Sequence, residues 1–257
     1  MAALRVATLN LKKSELRWEE RAPLVVQQLA ELRPDIIGFQ EVDLGIDQGN
    51  WLCGQLNDLI STGKETPNFR IHHMANPRDR VTLEALAILT HLPVIAHEGF
   101  DYLFRNRVAH RIRVQTSGGD NTLDLWNTHL HHEQDEPGNA AREEQAKKLS
   151  AWIAAHSPDR PTVLVGDFNC VPGAKPLLTI SERLTSVFES LGREAPATCQ
   201  TPLEPKPYPG QWPLDHIFGS SDVRVLDAGL AFDQPSADDT TLYCSDHFGL
   251  FASIEIA

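Results

Sequence analysis

Hydrophobic positions in this chain fall into short runs that stop on a polar residue. The sharpest case spans residues 162–172, where Val163, Leu164 and Val165 form a continuous apolar run of the kind found in buried strands. Gly166 ends the run, Asp167 and Asn169 follow two positions apart, and Pro172-Gly173 closes a turn. On an extended backbone, residues i and i+2 point to one side. The pattern thus predicts a carboxylate and a carboxamide aimed together from a strand's carboxyl end. Similar apolar stretches carry Asn10 near the end of 5–11, Glu41 near the end of 36–42 and His129 near the end of 122–130. Glu84 opens another, 84–90, and Asp215 opens 214–218. Further strands are predicted over 105–114, 223–232 and 248–256.

Helical spacing alternates with these runs. Val25, Leu29 and Leu32 predict an amphipathic helix over 18–32, and Ala146, Leu149 and Ile153 predict one over 140–156. A helix over about 50–60 and short helical pieces within 175–191 complete the set. Residues 61–68 and 131–139 read as polar loops, 91–94 as a strand exit, and 195–213 as a proline-rich loop of a kind that often faces substrate. No repeat, low-complexity tract or linker interrupts the chain. The expectation is one domain over 1–257, with α and β layers and two sheets packed together.

Composition narrows the function classes. The apolar fraction of 41% is ample for a substantial core, and no apolar run is long enough to span a bilayer. The N-terminus lacks a basic segment followed by an apolar core, so a cytoplasmic location is expected. The four cysteines have no metal-like or redox spacing and read as free thiols. A net charge of −12 argues against a protein that coats nucleic acid through an overall positive field. It leaves open an enzyme acting on phosphodiesters, because a site that gathers carboxylates for a metal is acidic by design. Arg105, Arg107, Arg111 and Arg113 would share one face of a strand; a solvated sheet face is the preferred reading over a phosphate track.

The chemistry-bearing candidates are Asn10, Glu41, Glu84, His129, Asp167, Asn169, Asp215, Asp246 and His247. Taken singly, each has an ordinary structural alternative: a turn residue, a surface acid, a satisfied core histidine. Their order along the chain is more specific. Thr8-Leu9-Asn10, residues 34–42 (Pro-Asp-Ile-Ile-Gly-Phe-Gln-Glu-Val), residues 84–89, Asn127-Thr128-His129-Leu130, Gly166-Asp167-Phe168-Asn169, Leu214-Asp215-His216-Ile217 and Ser245-Asp246-His247 follow one another from residue 5 nearly to the C-terminus. In this the chain resembles the endonuclease/exonuclease/phosphatase superfamily, which includes deoxyribonuclease, abasic-site endonucleases and neutral sphingomyelinases.

The resemblance implies a four-layer α-β-β-α sandwich, two mixed β-sheets flanked by helices, with a site at one edge of the sheets. It also implies roles. Glu41 would be the main metal ligand, with Asn10 and Asp246 beside it. Asp167 and Asn169 would position the attacking water and the phosphate, or hold a second metal. His247, oriented by Asp215, would contact the phosphate or act as general base, and His129 would be a second histidine supported by Glu84. The implied cofactor is Mg²⁺ or Mn²⁺, which neutralises charge as a phosphodiester is attacked. The implied substrate is a phosphodiester, with nucleic acid the leading class; a small phosphoester, a lipid headgroup and a non-catalytic binding role are the alternatives. Two positions depart from the family pattern. Asp215 is followed by His216, expected to point away along the strand, and Leu89-Thr90-His91 stands where many relatives carry Leu-Ser-Arg.

Overall fold

The computed structural model describes residues 3–61, 67–78, 81, 83–104, 106–116, 121–203 and 211–256. The chain opens with β1 (Leu4–Asn10), α1 (Trp18–Leu32), β2 (Ile36–Asp43), α2 (Gln48–Ile60), β3 (Arg70–Ala75) and β4 (Glu84–Thr90). It continues through β5 (Val94–Asp101), β6 (Val108–Gln115), β7 (Thr122–His129), α3 (Glu136–His156) and β8 (Thr162–Asp167). The last part holds α4 (Lys175–Ser181), β9 (Thr185–Ser186), α5 (Val187–Ser190), β10 (Asp215–Gly219), β11 (Val223–Ala231) and β12 (Gly249–Ile256).

The strands form two mixed six-stranded sheets, ordered β11-β12-β1-β2-β4-β3 and β5-β6-β7-β8-β10-β9. Each has one parallel pair of central strands, β1 with β2 and β7 with β8, among antiparallel neighbours. Three apolar clusters separate the layers. Val6, Ile36, Ile88, Ile112, Val165 and Ile254 pack between the sheets. Val25 and Leu29 of α1 and Leu52 of α2 pack on Leu9, Ile37 and Phe39 of the first sheet. Ala146, Leu149 and Ile153 of α3 pack on Trp126 and Leu164 of the second. The result is the expected four-layer α/β sandwich. Each fully buried Leu or Ile contributes about 2 kcal/mol of transfer free energy.

Close sheet-to-sheet approach depends on Gly38, where an added Cβ would lie 2.6 Å from Val165 Cγ2 on the opposite sheet. A polar pair bridges the same gap: Gln40 Nε2 donates to Asn127 Oδ1 at 2.7 Å, and Asn127 Nδ2 donates to the carbonyls of Phe39 and Ala87.

Several elements differ from the sequence expectation. β3 and β5 are strands where none was expected. Both are edge strands, which need little apolar content, and β3 carries two adjacent histidines. Helix α3 begins at Glu136 rather than 140, because Asp135 caps it by accepting from Gly138 N at 2.7 Å, and Pro137 fits the first turn. β6 begins at Val108, and Arg105 lies outside the described residues. The arginine stripe is not a solvated face. Arg111 is 3% exposed and pairs with Glu98 and Asp124, and Arg113 joins it on Asp124 at 2.7 Å. In the proline-rich loop, residues 204–210 lie outside the described set, as do 62–66 of the polar loop.

Candidate active site

Strand register brings the central candidates together. In the second sheet, His129 of β7 is the ladder partner of Asp167 of β8, and Asp167 is the partner of Asp215 of β10. One row at the carboxyl end of β8 therefore carries an imidazole and two carboxylates. Opposite it, β1 ends at Asn10, beside Gln40 of β2. His247 arrives just before β12, bridged to Cys199.

Two backbone devices aim the side chains. The β2–β4 register shifts between Phe39 and Val42, and Glu41 there adopts a left-handed φ of 52°. Such bulges re-aim a side chain next to a functional cleft. Asn169 is also left-handed, at φ 51°. The Asp167–Asn169 unit is thus a tight turn rather than the extended pair that the sequence suggested: Asn169 N donates to Asp167 Oδ1 at 2.9 Å, and its side-chain Nδ2 donates to the Leu130 carbonyl. Both backbone conformations are costly for a residue with a Cβ, and they persist because the surrounding ladder fixes them.

The site is tightly wired. Asn10 Nδ2 donates to Glu41 Oε1 at 3.1 Å and to Asp167 Oδ2 at 3.0 Å, while its Oδ1 accepts from Lys12 N. In this orientation Asn10 presents its nitrogen, not its oxygen, to the acids. His247 Nδ1 lies 2.7 Å from Asp215 Oδ2, and its Nε2 lies 3.9 Å from Asp167 Oδ2. Burial works against a proton on His247, but the charge and hydrogen bond of Asp215 lift it well above the usual histidine range. Burial likewise raises Asp215. The pair holds a proton, and the imidazole is its seat. Burial also opposes ionisation of Asp167, yet the charge of His247 and the hydrogen bonds from Asn169 N and Asn10 keep it below the ordinary carboxylate range.

The second histidine is held differently from the expectation. Arg107 Nη1 is 2.7 Å from both His129 Nδ1 and Glu84 Oε1, whereas Glu84 Oε1 itself is 3.7 Å from His129 Nδ1. Arginine can only donate, so His129 Nδ1 accepts and Nε2 carries the proton. That Nε2 lies 3.4 Å from Asp167 Oδ2 and 3.9 Å from Glu41 Oε1. Burial opposes ionisation of Glu84, but the Arg107 and Lys13 cations, 2.7 and 3.1 Å away, hold it well below its usual range.

All nine candidates converge on one cleft of about 1120 Å³. Glu41, Glu84, His129, Asp167, Asn169, Asp246 and His247 line it, with Asn10 and Asp215 hydrogen-bonded behind them. Of the two departures from the family pattern, His216 turns away to meet the Cys170 carbonyl at 3.0 Å. His91 lies past the far end of β4 from Glu84 and pairs with Asp35 at 3.0 Å, so that change does not reach the cleft.

Cations that the sequence reading did not single out also line the cleft. Lys12 Nζ is 3.2 Å from Asp246 Oδ2 and Lys13 Nζ is 3.1 Å from Glu84 Oε2. Their signal was adjacency: the two lysines follow Asn10 by two and three positions. Arg142, on α3, donates to the carbonyls of His131 and Glu133 and fixes that rim. Arg21 is fully buried and donates to the carbonyls of Leu11, Lys12, Lys13, Glu15, Leu16 and Cys244. It thereby ties the segment after Asn10 to the segment before Asp246.

The donor set suits a hard divalent cation. Glu41, Asp167 and Asp246 are among the carboxylates that line the cleft, and ligand atoms of Asp167, Asp215 and His247 lie within 4.8 Å of one another. Cys170, which also lines the cleft, has its thiol pushed up to about 12 by burial, so it offers no thiolate to a softer metal. Glu41 and Asp246 would be the first holders, with Asp167 adjacent.

Comparisons with known proteins bear on the fold and the family. Nocturnin of Drosophila melanogaster is 26% identical over 168 residues, which is 61% of this chain and 25% of that protein. The chain thus spans about a quarter of that relative's length. An endonuclease/exonuclease/phosphatase of Bacteroides vulgatus superposes with a TM-score of 0.79 at 19% identity, covering 100% of both chains. TDP2 of D. rerio, solved with a single-strand DNA product, superposes with a TM-score of 0.80 at 17% identity over 99% of this chain and 100% of that one. These structural likenesses concern the fold. The family description "Endonuclease/Exonuclease/phosphatase family" matches residues 7–247, and over that span, from β1 to His247, the chain belongs to that family.

Proposed function

We propose that this protein is a divalent-metal-dependent hydrolase of phosphodiesters, with nucleic acid as its leading substrate class. The observation that carries the reading is the row His129–Asp167–Asp215, with His247 seated 2.7 Å from Asp215. This row supplies a proton donor, a carboxylate held ionised and a second oriented imidazole around one cleft. A phosphoryl group there would meet protonated His247 and the carboxamide of Asn169. Asp167, ionised and facing both histidines, would orient the attacking water and take up its proton. His129, fixed by Arg107 with its Nε2 proton facing the cleft, would donate to a phosphoryl or leaving oxygen. A Mg²⁺ or Mn²⁺ ion held by Glu41 and Asp246 would neutralise charge on the phosphoryl oxygens.

Two features support a nucleic-acid substrate. Lys12, Lys13, Arg107 and Arg142 set positive charge around an acidic floor. Trp212, 46% exposed, lies on the cleft rim, where its ring offers a stacking surface for an unpaired base. D. rerio TDP2, which shares the fold, was solved with a single-strand DNA product, and its likeness adds weight to the same class. A small phosphoester is the second reading, favoured by the net charge of −12.

The test is a hydrolysis panel in Mg²⁺ and in Mn²⁺: single- and double-stranded DNA, RNA, inositol phosphates, sphingomyelin and bis-p-nitrophenyl phosphate. Asp167→Asn and His247→Ala should each lower turnover by about 10²- to 10⁴-fold with the fold retained. Full activity in either variant would sink the assignment. Cleavage of small esters alone, with DNA and RNA untouched, would move the substrate to the second reading.

A further inference from the structure

Three histidines meet where the edges of the two sheets come together, and none of them lines the catalytic cleft. His72 lies on β3, the edge strand of one sheet, and His97 on β5, the edge strand of the other. His110 lies on β6, inside the sandwich. The His97 ring centre is 5.3 Å from that of His72 and 4.9 Å from that of His110. His110 is fully buried, yet neither Nδ1 nor Nε2 has a hydrogen-bond partner, and His72 Nε2 is likewise unpartnered. Buried polar atoms are normally satisfied, so three orphaned imidazole nitrogens in one place call for a ligand.

We propose that His72, His97 and His110 form a second metal site, for a borderline transition ion such as Zn²⁺ or Cu²⁺, that clips the edge strands of the two sheets together. The spacing fits: two imidazoles on one tetrahedral ion, with metal–nitrogen bonds of about 2.0–2.1 Å, place their ring centres about 5 Å apart. The donor chemistry excludes the hard cation of the catalytic cleft, because imidazole selects Zn²⁺, Cu²⁺ or Ni²⁺ over Mg²⁺. A soft donor borders the site as well. The Met74 thioether lies over Gly99, where any Cβ would come within 2.0 Å of Sδ, and Gly99 is the ladder partner of His110. Burial holds His72 and His110 below the usual histidine range, so both are neutral, as ligands must be, at pH 7. In the ring orientations seen, the nitrogens of the three residues do not all fall within 4.8 Å of one another. Loading the ion therefore turns at least one ring, and exposed His97 is free to move without repacking the core.

The experiment compares wild type with His97→Ala and His72→Ala after chelator stripping. Zn²⁺ retained through gel filtration is measured by elemental analysis, thermal melting is recorded with and without Zn²⁺, and Cu²⁺-loaded wild type is examined by electron paramagnetic resonance. Wild type should retain one Zn²⁺ equivalent more than either variant, bind it at least tenfold more tightly and melt several degrees higher with Zn²⁺. Cu²⁺ should show splitting from several nitrogens. His97→Ala should keep the metal-free melting temperature and the Mg²⁺-supported hydrolysis of wild type. Equal Zn²⁺ retention and equal melting shifts in wild type and both variants, or a Cu²⁺ spectrum with oxygen ligands alone, would overturn the site.

Discussion

His216, on β10, and His247, just before β12, respond to pH in opposite senses. His216 is buried against Phe168 and Phe218 and lies 3.0 Å from the Cys170 carbonyl. Burial lowers it to about 4, against about 6.5 for a free histidine. Above pH 6.5 the folded and unfolded states are both neutral at this residue. Between about 6.5 and 4 the unfolded chain takes up a proton that the folded one refuses, so stability falls as pH falls, by about 3 kcal/mol in all. Urea denaturation across pH 7 to 4 should show a smaller acid loss in His216→Gln than in wild type. His247 is raised instead. Its contribution is fully present below its unfolded value and is lost as pH rises through the elevated folded one. Asp215→Asn should remove that alkaline dependence, read from the same denaturation series above pH 7.

Among the elements, the turn that closes β8 constrains the chain most. Gly166 sits at φ 148°, and a Cβ there would lie 2.0 Å from the backbone oxygen of Thr128 on β7. Backbone cannot yield as a side chain can, so Gly166→Ala should destabilise by about 3 kcal/mol or more and displace Asp167. Gly54, within α2, has nothing within 4 Å of such a Cβ, and Gly54→Ala should stabilise by about 0.5–1 kcal/mol. Denaturant midpoints of the two variants should move in opposite directions. Helix α1 acts on the site from behind. Arg21 gathers carbonyls from the segment after Asn10 and from Cys244, two residues before Asp246. Arg21→Met leaves those acceptors unpaired. It should lower stability by about 3 kcal/mol and reduce kcat although every cleft side chain remains. A melting curve with steady-state kinetics checks both effects.

For the molecule as a whole, the fold concentrates acids at one end of two apposed sheets, and the pairs Lys12–Asp246 and Lys13–Glu84 partly balance them. A hard cation bound there would favour the folded state by mass action. Mg²⁺ or Mn²⁺ at a hundredfold excess over its dissociation constant should add about 2.7 kcal/mol, and a chelator should reverse it. Glu41→Gln should blunt the shift in melting temperature. An unchanged shift in that variant would place the ion elsewhere. Among the described residues, no helix is long and apolar enough to cross a membrane.

The sequence by itself determined the layers and the candidates. Continuous apolar runs such as 163–165 and the helical spacing of Val25 and Leu29 depend on local burial, which periodicity reports directly. Asn10, Glu41, Asp167 and His247 were singled out not by periodicity but by the ordered motifs that resemble the family. Tertiary structure decided what periodicity does not encode. Edge strands β3 and β5 are half-covered, so their pattern is weak. Asp124, across the ladder from Arg113, turned the arginine stripe from a solvated face into a buried ion-pair group. Arg107, not Glu84 alone, sets the proton on His129, and the cluster of His72, His97 and His110 exists only because two sheet edges meet. Such contacts join residues that are not neighbours in sequence, 11 positions apart for Arg113 and Asp124 and 22 for Arg107 and His129. They are fixed by sheet register and packing, which a linear pattern specifies only after the fold has closed.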